Sequence, residues 1–394
     1  MLVKSIQDIP IREKRVFFRF DFNVPLDESC RIKDDTRLVR ALPTLRYALG
    51  EKARCILASH LGRPKGQRVA ELSLKPVAGR LSELLEIPVA FADDCVGPEV
   101  ETAARELLPG GILLLENLRF HAEETKNDED FSRKLASLAD VYVNDAFGTA
   151  HRAHASTVGI ARFVKEKAAG LLLKEELESL ARALSNPARP VAALFGGAKV
   201  SDKIAILRNI VDRMDSLLIG GGMANTFLRA KGLSVGASKV EEEMLPSASE
   251  IMAEADKKGC RVLLPEDVVT AKTIEEGAQS KVVDVASVPG DEMALDIGPK
   301  TIGVFREAIG QAGTIVWNGP MGVFEIEAFR KGTTELAVAV AEAPGFSLVG
   351  GGDSIRALKT AGVAGKISYI STGGGAFMEF MEGKTLPGVA ALED

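Results

Sequence analysis

Four arginines in the first 152 residues stand in short polar motifs, and a fifth lies between two of them. Arg19 shares RFDFNVP (19–25) with Asp21 and Asn23, and Arg63 shares SHLGRP (59–64) with His60. Arg119 closes LENLRF (115–120), Arg152 closes DAFGTAHR (145–152), and Arg37 stands between the first two motifs. Planar guanidinium groups grip carboxylate and phosphate through paired hydrogen bonds, so several arginines with one histidine suit a compact, multiply charged anion. A single arginine is more often a partner in a surface ion pair, and a lone histidine is as often structural as a ligand. Five arginines expected at strand ends outweigh that reading. Asp21 stands among cations, placed to accept from a substrate hydroxyl or to orient an arginine.

The second half carries another chemistry in FGGAKVSDKI (195–204), GGGMANTF (220–227), NGPMGVFE (318–325), GGGDS (350–354) and STGGGA (371–376). Glycine lets backbone N–H groups approach a phosphate, and a helix starting just after adds its dipole and unpaired donors. One such loop is explained as well by a tight turn; several on one sheet edge are not. Lys199 and Lys203 follow Gly196 and Gly197 at a spacing that, on a helix, turns both ammonium groups to one side. Asp353 follows three glycines, where a carboxylate can cap a helix or hold Mg²⁺ with phosphate oxygens. No GxGxxG falls on these loops, and Gly383-Lys384-Thr385 lacks the earlier glycine of a P-loop, its place being taken by Met378.

The elements that must hold these residues read as short, nearly continuous apolar runs, each followed by a segment of helical periodicity: the pattern of parallel strands covered on both faces. The runs are VFFRF (16–20), CILAS (55–59), PVAFA (88–92), ILLLE (112–116) and VYVND (141–145), then VAALF (191–195), SLLIG (216–220), RVLLP (261–265), TIVWN (314–318), SLVGG (347–351) and ISYIS (367–371). Chemistry then falls at the carboxyl ends of strands, where open α/β sheets bind ligands. A helix over 171–184, ending before Asn186-Pro187, joins the halves and reads as a hinge.

A chain of 394 residues exceeds one ordinary core, so two α/β domains are expected: two doubly wound parallel-sheet, Rossmann-like domains joined by the hinge helix. The formal charge of −6 gives no bulk attraction to nucleic acid. Four scattered cysteines, with no CxxC and no histidine at metal-ligand spacing, read as buried thiols in a reducing compartment. Charges through MLVKSIQDIPIREKR, and the lack of a long apolar run elsewhere, point to a cytoplasmic protein with no membrane partner. No Ser/His/Asp or Cys/His set has the spacing for covalent catalysis, and His121, His151 and His154 are assigned to structure or solvent.

The strings quoted above, with LDIGPKT (295–301) and the longer form WNGPMGVFE (317–325), closely resemble the phosphoglycerate kinase family, in order and over nearly the whole chain. Phe20 stands where that family commonly has a smaller aliphatic residue. The resemblance implies reversible transfer of the acyl phosphate of 1,3-bisphosphoglycerate to Mg-ADP, giving 3-phosphoglycerate and ATP, a glycolytic and gluconeogenic step, by a monomer. It implies a glycerate site of Asp21, Phe22, Asn23, Arg37, His60, Leu61, Gly62, Arg63, Arg119 and Arg152. It implies a nucleotide site of Lys199, Lys203, Gly221, Asn318, Pro320, Glu325, Gly350, Gly351, Gly352, Asp353 and Ser354, with Asp353 as metal ligand. Residues 1–170 with a returning tail, 380–394, are expected to form the phosphoglycerate-binding domain, and 171–379 the nucleotide-binding one.

Phosphoryl transfer asks for in-line placement and positive charge more than covalent work, and an acyl phosphate has a good leaving carboxylate. Arg37 and Lys203 are therefore expected to stabilise the transferring group, with the backbone N–H groups of Gly373 and Gly374 around it. Sites on separate domains predict closure about the hinge, with water expelled. Alternatives are a kinase for another small carboxylate, which would need fewer arginines, and a non-catalytic nucleotide- or phosphate-binding scaffold of the same fold. A dehydrogenase would need the missing glycine pattern.

Overall fold

The computed structural model describes residues 3–393. The chain divides into two compact units, Met1–Leu177 with Thr385–Asp394, and Glu178–Lys384. The division falls inside the helix Leu171–Leu184 rather than at its start, where 170/171 was expected, and the tail of the first unit begins at 385 rather than 380.

The first unit is built on six parallel strands: β1 (Arg15–Phe20), β2 (Arg54–Ala58), β3 (Val89–Phe91), β4 (Ile112–Leu114), β5 (Val141–Asp145) and β6 (Glu166–Ala169), in the spatial order β3-β4-β2-β1-β5-β6. Strand β1 is buried from Val16 to Phe20, which explains its unbroken apolar run: side chains on both faces enter a core. Phe20 stacks between Phe18 and Phe22, with ring centroids 5.6 and 5.0 Å away, so the larger residue is accommodated within the core. The sheet extends to one side of β1 through β2 and β4 and to the other through β5, which makes the β1/β5 boundary a switch point where loops diverge and leave a crevice.

The second unit repeats the scheme with β7 (Val191–Phe195), β8 (Ser216–Ile219), β9 (Arg261–Leu263), β13 (Thr314–Asn318), β14 (Phe346–Gly350) and β15 (Tyr369–Ser371), in the order β15-β14-β13-β7-β8-β9. Its switch point lies between β7 and β13, the strands that end in GGAK and NGPM. Between β9 and β13 the chain adds a small antiparallel sheet of β10 (Asp267–Ala271), β11 (Lys281–Asp284) and β12 (Met293–Ile297), with a register shift at Val269/Thr270. The parallel-run reading did not include this sheet or β6. The strand β11 is largely exposed and β6 begins Glu-Lys, so neither shows the continuous apolarity of a covered strand.

The start of the helix Leu171–Leu184 is set by buried polar groups of the first unit. Asp145, at the end of β5, accepts the Leu173 N–H at 2.9 Å and the Thr44 hydroxyl at 2.6 Å, and Thr44 Oγ1 accepts the Leu171 N–H at 3.0 Å. Burial pushes the Asp145 carboxyl up to about 6 despite these donors. The final segment docks on the loop after β5: the Gly388 N–H donates to the Ala150 carbonyl at 2.8 Å, and Asn144 Nδ2 to the Gly388 carbonyl at 3.2 Å.

Candidate functional site

In the first unit the anion-binding candidates hang from the carboxyl ends of β1, β2, β4 and β5, and hydrogen bonds between the loops set their positions. Asn23 Oδ1 accepts the Gly62 N–H at 2.9 Å, Ser59 Oγ accepts the Phe22 N–H at 2.8 Å, and Arg119 Nη1 donates to the Gly62 carbonyl at 2.9 Å. Arg119 rides on the short helix Leu118–Phe120, whose entry is held by Asn117; that buried amide accepts the Arg119 N–H and donates to the carbonyls of Leu61 and Leu72. Arg37 lies in the first turn of the helix Thr36–Gly50 and pairs with Asp21, so Asp21 orients an arginine.

Arg63, Arg119 and Arg152 line a cavity of about 430 Å³ together with Lys65, Lys126 and His154. Burial, with Arg19 and Arg152 nearby, brings the Arg119 guanidinium down to about 10, and its Nε has no partner among the described residues. Unpaired donors in a cationic cavity are what a polyanion satisfies. Arg19 itself is fully buried and touches no open space: it donates to Ser156 Oγ at 2.8 Å and to the Phe20 carbonyl, and Nη2 meets His60 Nδ1 at 3.2 Å. It supports the site from behind and holds His60, with Leu61 next to it buried in the core.

In the second unit the glycine turns after β7, β8 and β13 are stitched to one another. The Gly197 N–H donates to the Pro320 carbonyl, Gly196 N–H to the Asn318 carbonyl and Gly221 N–H to the Met321 carbonyl, at 2.9, 3.1 and 2.9 Å. A Cβ on Gly196 would lie 2.0 Å from the Pro320 oxygen, so that glycine is required by packing alone. Gly352 is different. It opens the helix Gly352–Thr360, has no left-handed φ, and a Cβ there would meet nothing within 4 Å, so neither packing nor backbone demands glycine. The open space lies beside a helix N-terminus, where an anion can be received.

Lys203 donates to Asn318 Oδ1 and approaches Met378 Sδ at 3.6 Å; burial lowers its ammonium to about 8, against the raising effect of Asp202 and Asp353. Asn318 Nδ2 donates in turn to the Gly350 carbonyl at 2.7 Å, and Ser354 Oγ accepts the Gly319 N–H at 2.7 Å. Beyond them, Arg356 Nη2 donates to Glu325 Oε1 at 2.7 Å and to Asp353 Oδ1 at 2.9 Å. At the end of β15 the Gly373 N–H donates to Ser371 Oγ at 3.2 Å, and Gly374 precedes the helix Gly375–Met381.

A model of the phosphoglycerate kinase family matches residues 6–384 of the sequence. The chain belongs to the phosphoglycerate kinase family. A phosphoglycerate kinase of Moorella thermoacetica is 57% identical over 390 residues, covering 99% of each chain, and one of Koribacter versatilis is 54% identical, covering 98% of each. Among solved structures, phosphoglycerate kinase from Coxiella burnetii superposes with a TM-score of 0.93 at 44% identity, covering 99% of both chains. The enzyme from Pyrococcus horikoshii OT3 gives 0.82 at 36% identity, covering 99% of this chain and 98% of that one.

For this member of the family the structure corrects three local readings. Lys199 and Lys203 do not share a helix face: the helix begins at Ile204, Lys199 lies exposed in the preceding loop, and only Lys203 turns inward. Asp353 is not an N-cap, a place held by Gly351; it stands in the helix's first turn, paired with Arg356. Cys30 is only half-buried, unlike Cys55, Cys95 and Cys260. Sequence reasoning also passed over Lys65, Lys126, Asn117 and Arg356. The lysines had a signal in their nearness to Arg63 and Arg119, whereas Asn117 and Arg356 acquire their roles only through contacts with distant loops.

Proposed function

We infer that this chain is a phosphotransferase that moves the acyl phosphate of 1,3-bisphosphoglycerate to ADP, reversibly, giving 3-phosphoglycerate and ATP in glycolysis and gluconeogenesis. The cavity lined by Arg63, Arg119 and Arg152 carries the substrate assignment, because a phosphate-bearing carboxylic acid offers both anions that such a cluster can pair. Asp21, Phe22, Asn23, Arg37, His60, Leu61 and Gly62 complete that site. Lys199, Lys203, Gly221, Asn318, Pro320, Glu325 and the residues 350–354 hold the nucleotide, with phosphates received at the Gly352 helix start.

Asp353 suits Mg²⁺: its side chain is largely exposed, it bears on Lys203, and a hard cation needs only one or two carboxylates beside phosphate oxygens. Bound there, the ion would offset negative charge on the nucleotide phosphates. Arg37 and Lys203 stabilise the transferring group, and the N–H groups of Gly374 and, once it leaves Ser371 Oγ, Gly373 donate to its oxygens. No general base is needed, since the leaving or attacking carboxylate is already ionised. The two sites lie on separate units, so turnover requires closure about the helix Leu171–Leu184. Among the described residues no helix is long and apolar enough to cross a membrane; action as a cytoplasmic monomer on small molecules is part of the same proposal.

The test is to incubate purified protein with Mg-ATP and 3-phosphoglycerate, trap acyl phosphate with hydroxylamine, and run glycerate, acetate and aspartate in parallel. Product with 3-phosphoglycerate alone supports the assignment. Product with another acid replaces the substrate, and no product despite nucleotide binding replaces the enzyme by a scaffold.

A further inference from the structure

A second group of chemically capable side chains lies in the first unit, where the loops leaving β3 and β4 run side by side. The Ala92 N–H donates to the Leu114 carbonyl at 2.9 Å and the Glu116 N–H approaches the Asp94 carbonyl at 3.4 Å. This pairing brings Asp94 and Cys95 of one loop against His121 of the other, with one ligand-capable atom from each within 4.8 Å of the other two. The Cys95 thiol forms a fully buried floor, while the side chains of Asp94 and His121 are 46% and 28% exposed and form the rim. The imidazole is held by stacking on Phe131, centroids 5.2 Å apart, and Nε2 lies 2.7 Å from Asp94 Oδ1. Burial, and then the negative charge of Asp94 and Glu124, push the Cys95 thiol well above its ordinary range, so a cation must itself supply the charge that holds the thiolate.

We propose that Asp94, Cys95 and His121 form a binding site for a borderline divalent transition cation such as Zn²⁺, taking one carboxylate oxygen, Sγ and Nε2, with a fourth position open to water. The donor set decides the class: a thiolate and an imidazole select zinc-like ions, whereas Mg²⁺ prefers oxygen alone. Tetrahedral zinc places its donors roughly 3.5 Å apart, so the distances to the sulfur, which lie within 4.8 Å, must close by up to about 1 Å while the 2.7 Å His121–Asp94 pair opens slightly, movements open to the exposed rim side chains. Binding forms metal–sulfur, metal–nitrogen and metal–oxygen bonds; it breaks the Cys95 S–H bond, whose proton leaves to solvent, and the Nε2–H···Oδ1 hydrogen bond between His121 and Asp94, the imidazole proton moving through solvent from Nε2 to Nδ1. The alternative is a surface His–Asp pair that happens to cover a structural thiol, and it asks nothing of the sulfur.

The experiment titrates untagged full-length protein with Co²⁺, followed by absorption, and with Zn²⁺ in competition with a chromophoric chelator. One equivalent bound per chain, with a thiolate-to-cobalt charge-transfer band, is expected. The band should disappear in Cys95→Ser, and Zn²⁺ affinity should fall by about tenfold or more in His121→Gln. Cys30→Ser, which alters the half-buried thiol elsewhere, should change neither. His121→Gln touches a partly exposed side chain, so it remains decisive even if Cys95→Ser fails to fold, with circular dichroism as the check. No bound equivalent, binding without the charge-transfer band, or unchanged affinity in His121→Gln would overturn the site.

Discussion

Arg19 points its guanidinium at Nδ1 of His60, 3.2 Å away, with both side chains buried. A guanidinium can only donate, so His60 Nδ1 must accept, and the imidazole proton sits on Nε2. Burial, aided by Arg19, Arg119 and Arg37, keeps His60 well below its usual titration range. Nitrogen-15 NMR of the imidazole should therefore show one neutral tautomer, protonated at Nε2, between about pH 5 and 8. Protonation near the ordinary histidine range would contradict Nδ1 as the acceptor of the Arg19 guanidinium.

His154 carries a stability consequence of the same kind. Glu124 Oε1 lies 3.7 Å from its Nδ1 but already accepts the Ser156 hydroxyl, and burial with Arg19, Arg119 and Arg152 lowers the imidazole from 6.5 to about 3. Between those values the unfolded chain binds the proton and the folded one does not, so this contribution is lost as pH falls below 6.5. His154→Gln removes it. Relative to the variant, the wild type should lose about 2 kcal/mol of unfolding free energy between about pH 7 and 5, read by urea denaturation at each pH.

Lys203 is a cation at the edge of its charge range, lowered to about 8 by burial. It is protonated below that value and neutral above, so kcat/KM should fall as pH rises through about 8, and Lys203→Arg should move that limb upward. Lys203→Ala should lower kcat by about 30- to 1000-fold, corresponding to about 2–4 kcal/mol of transition-state stabilisation. Steady-state profiles across pH check both.

Gly352→Ala separates folding from binding. The position has an ordinary φ and open space, so alanine should raise the stability of the ligand-free protein by about 0.4–1 kcal/mol while its methyl group obstructs the helix start. A higher Tm with weaker ATP binding by calorimetry is expected. Unchanged affinity would place the phosphates elsewhere.

Arg119→Lys keeps the charge and loses the forked donor geometry, including the bond to the Gly62 carbonyl. KM for 3-phosphoglycerate should rise by about tenfold or more while KM for ATP stays unchanged, since Arg119 and the nucleotide residues lie on different units. A parallel rise in both would mean that the variant damages the fold.

The architecture was legible wherever local pattern and burial agree. VYVND, VAALF and TIVWN coincide with β5, β7 and β13 because each is buried along its length, and the helix at 171–184 follows its apolar spacing. The antiparallel sheet at β10–β12 was not legible, because β11 is an exposed edge with little apolar signal. Among candidate residues, Lys199 and Lys203 mark the limit of spacing arguments: four positions mean one face only on a helix, and here the chain is irregular until Ile204.

Residue types and order alone therefore determined the two sets of chemistry, guanidinium groups in one half and glycine turns in the other, because both are written in contiguous motifs whose backbone demands are local. Only the folded chain decided that Arg19 faces His60, that Arg356 ties Asp353 to Glu325, and that Cys95 meets His121 twenty-six positions later. Those meetings depend on which parallel strands are neighbours and on how their loops pack, and parallel pairing joins segments far apart in sequence. No spacing rule along the chain encodes that distance.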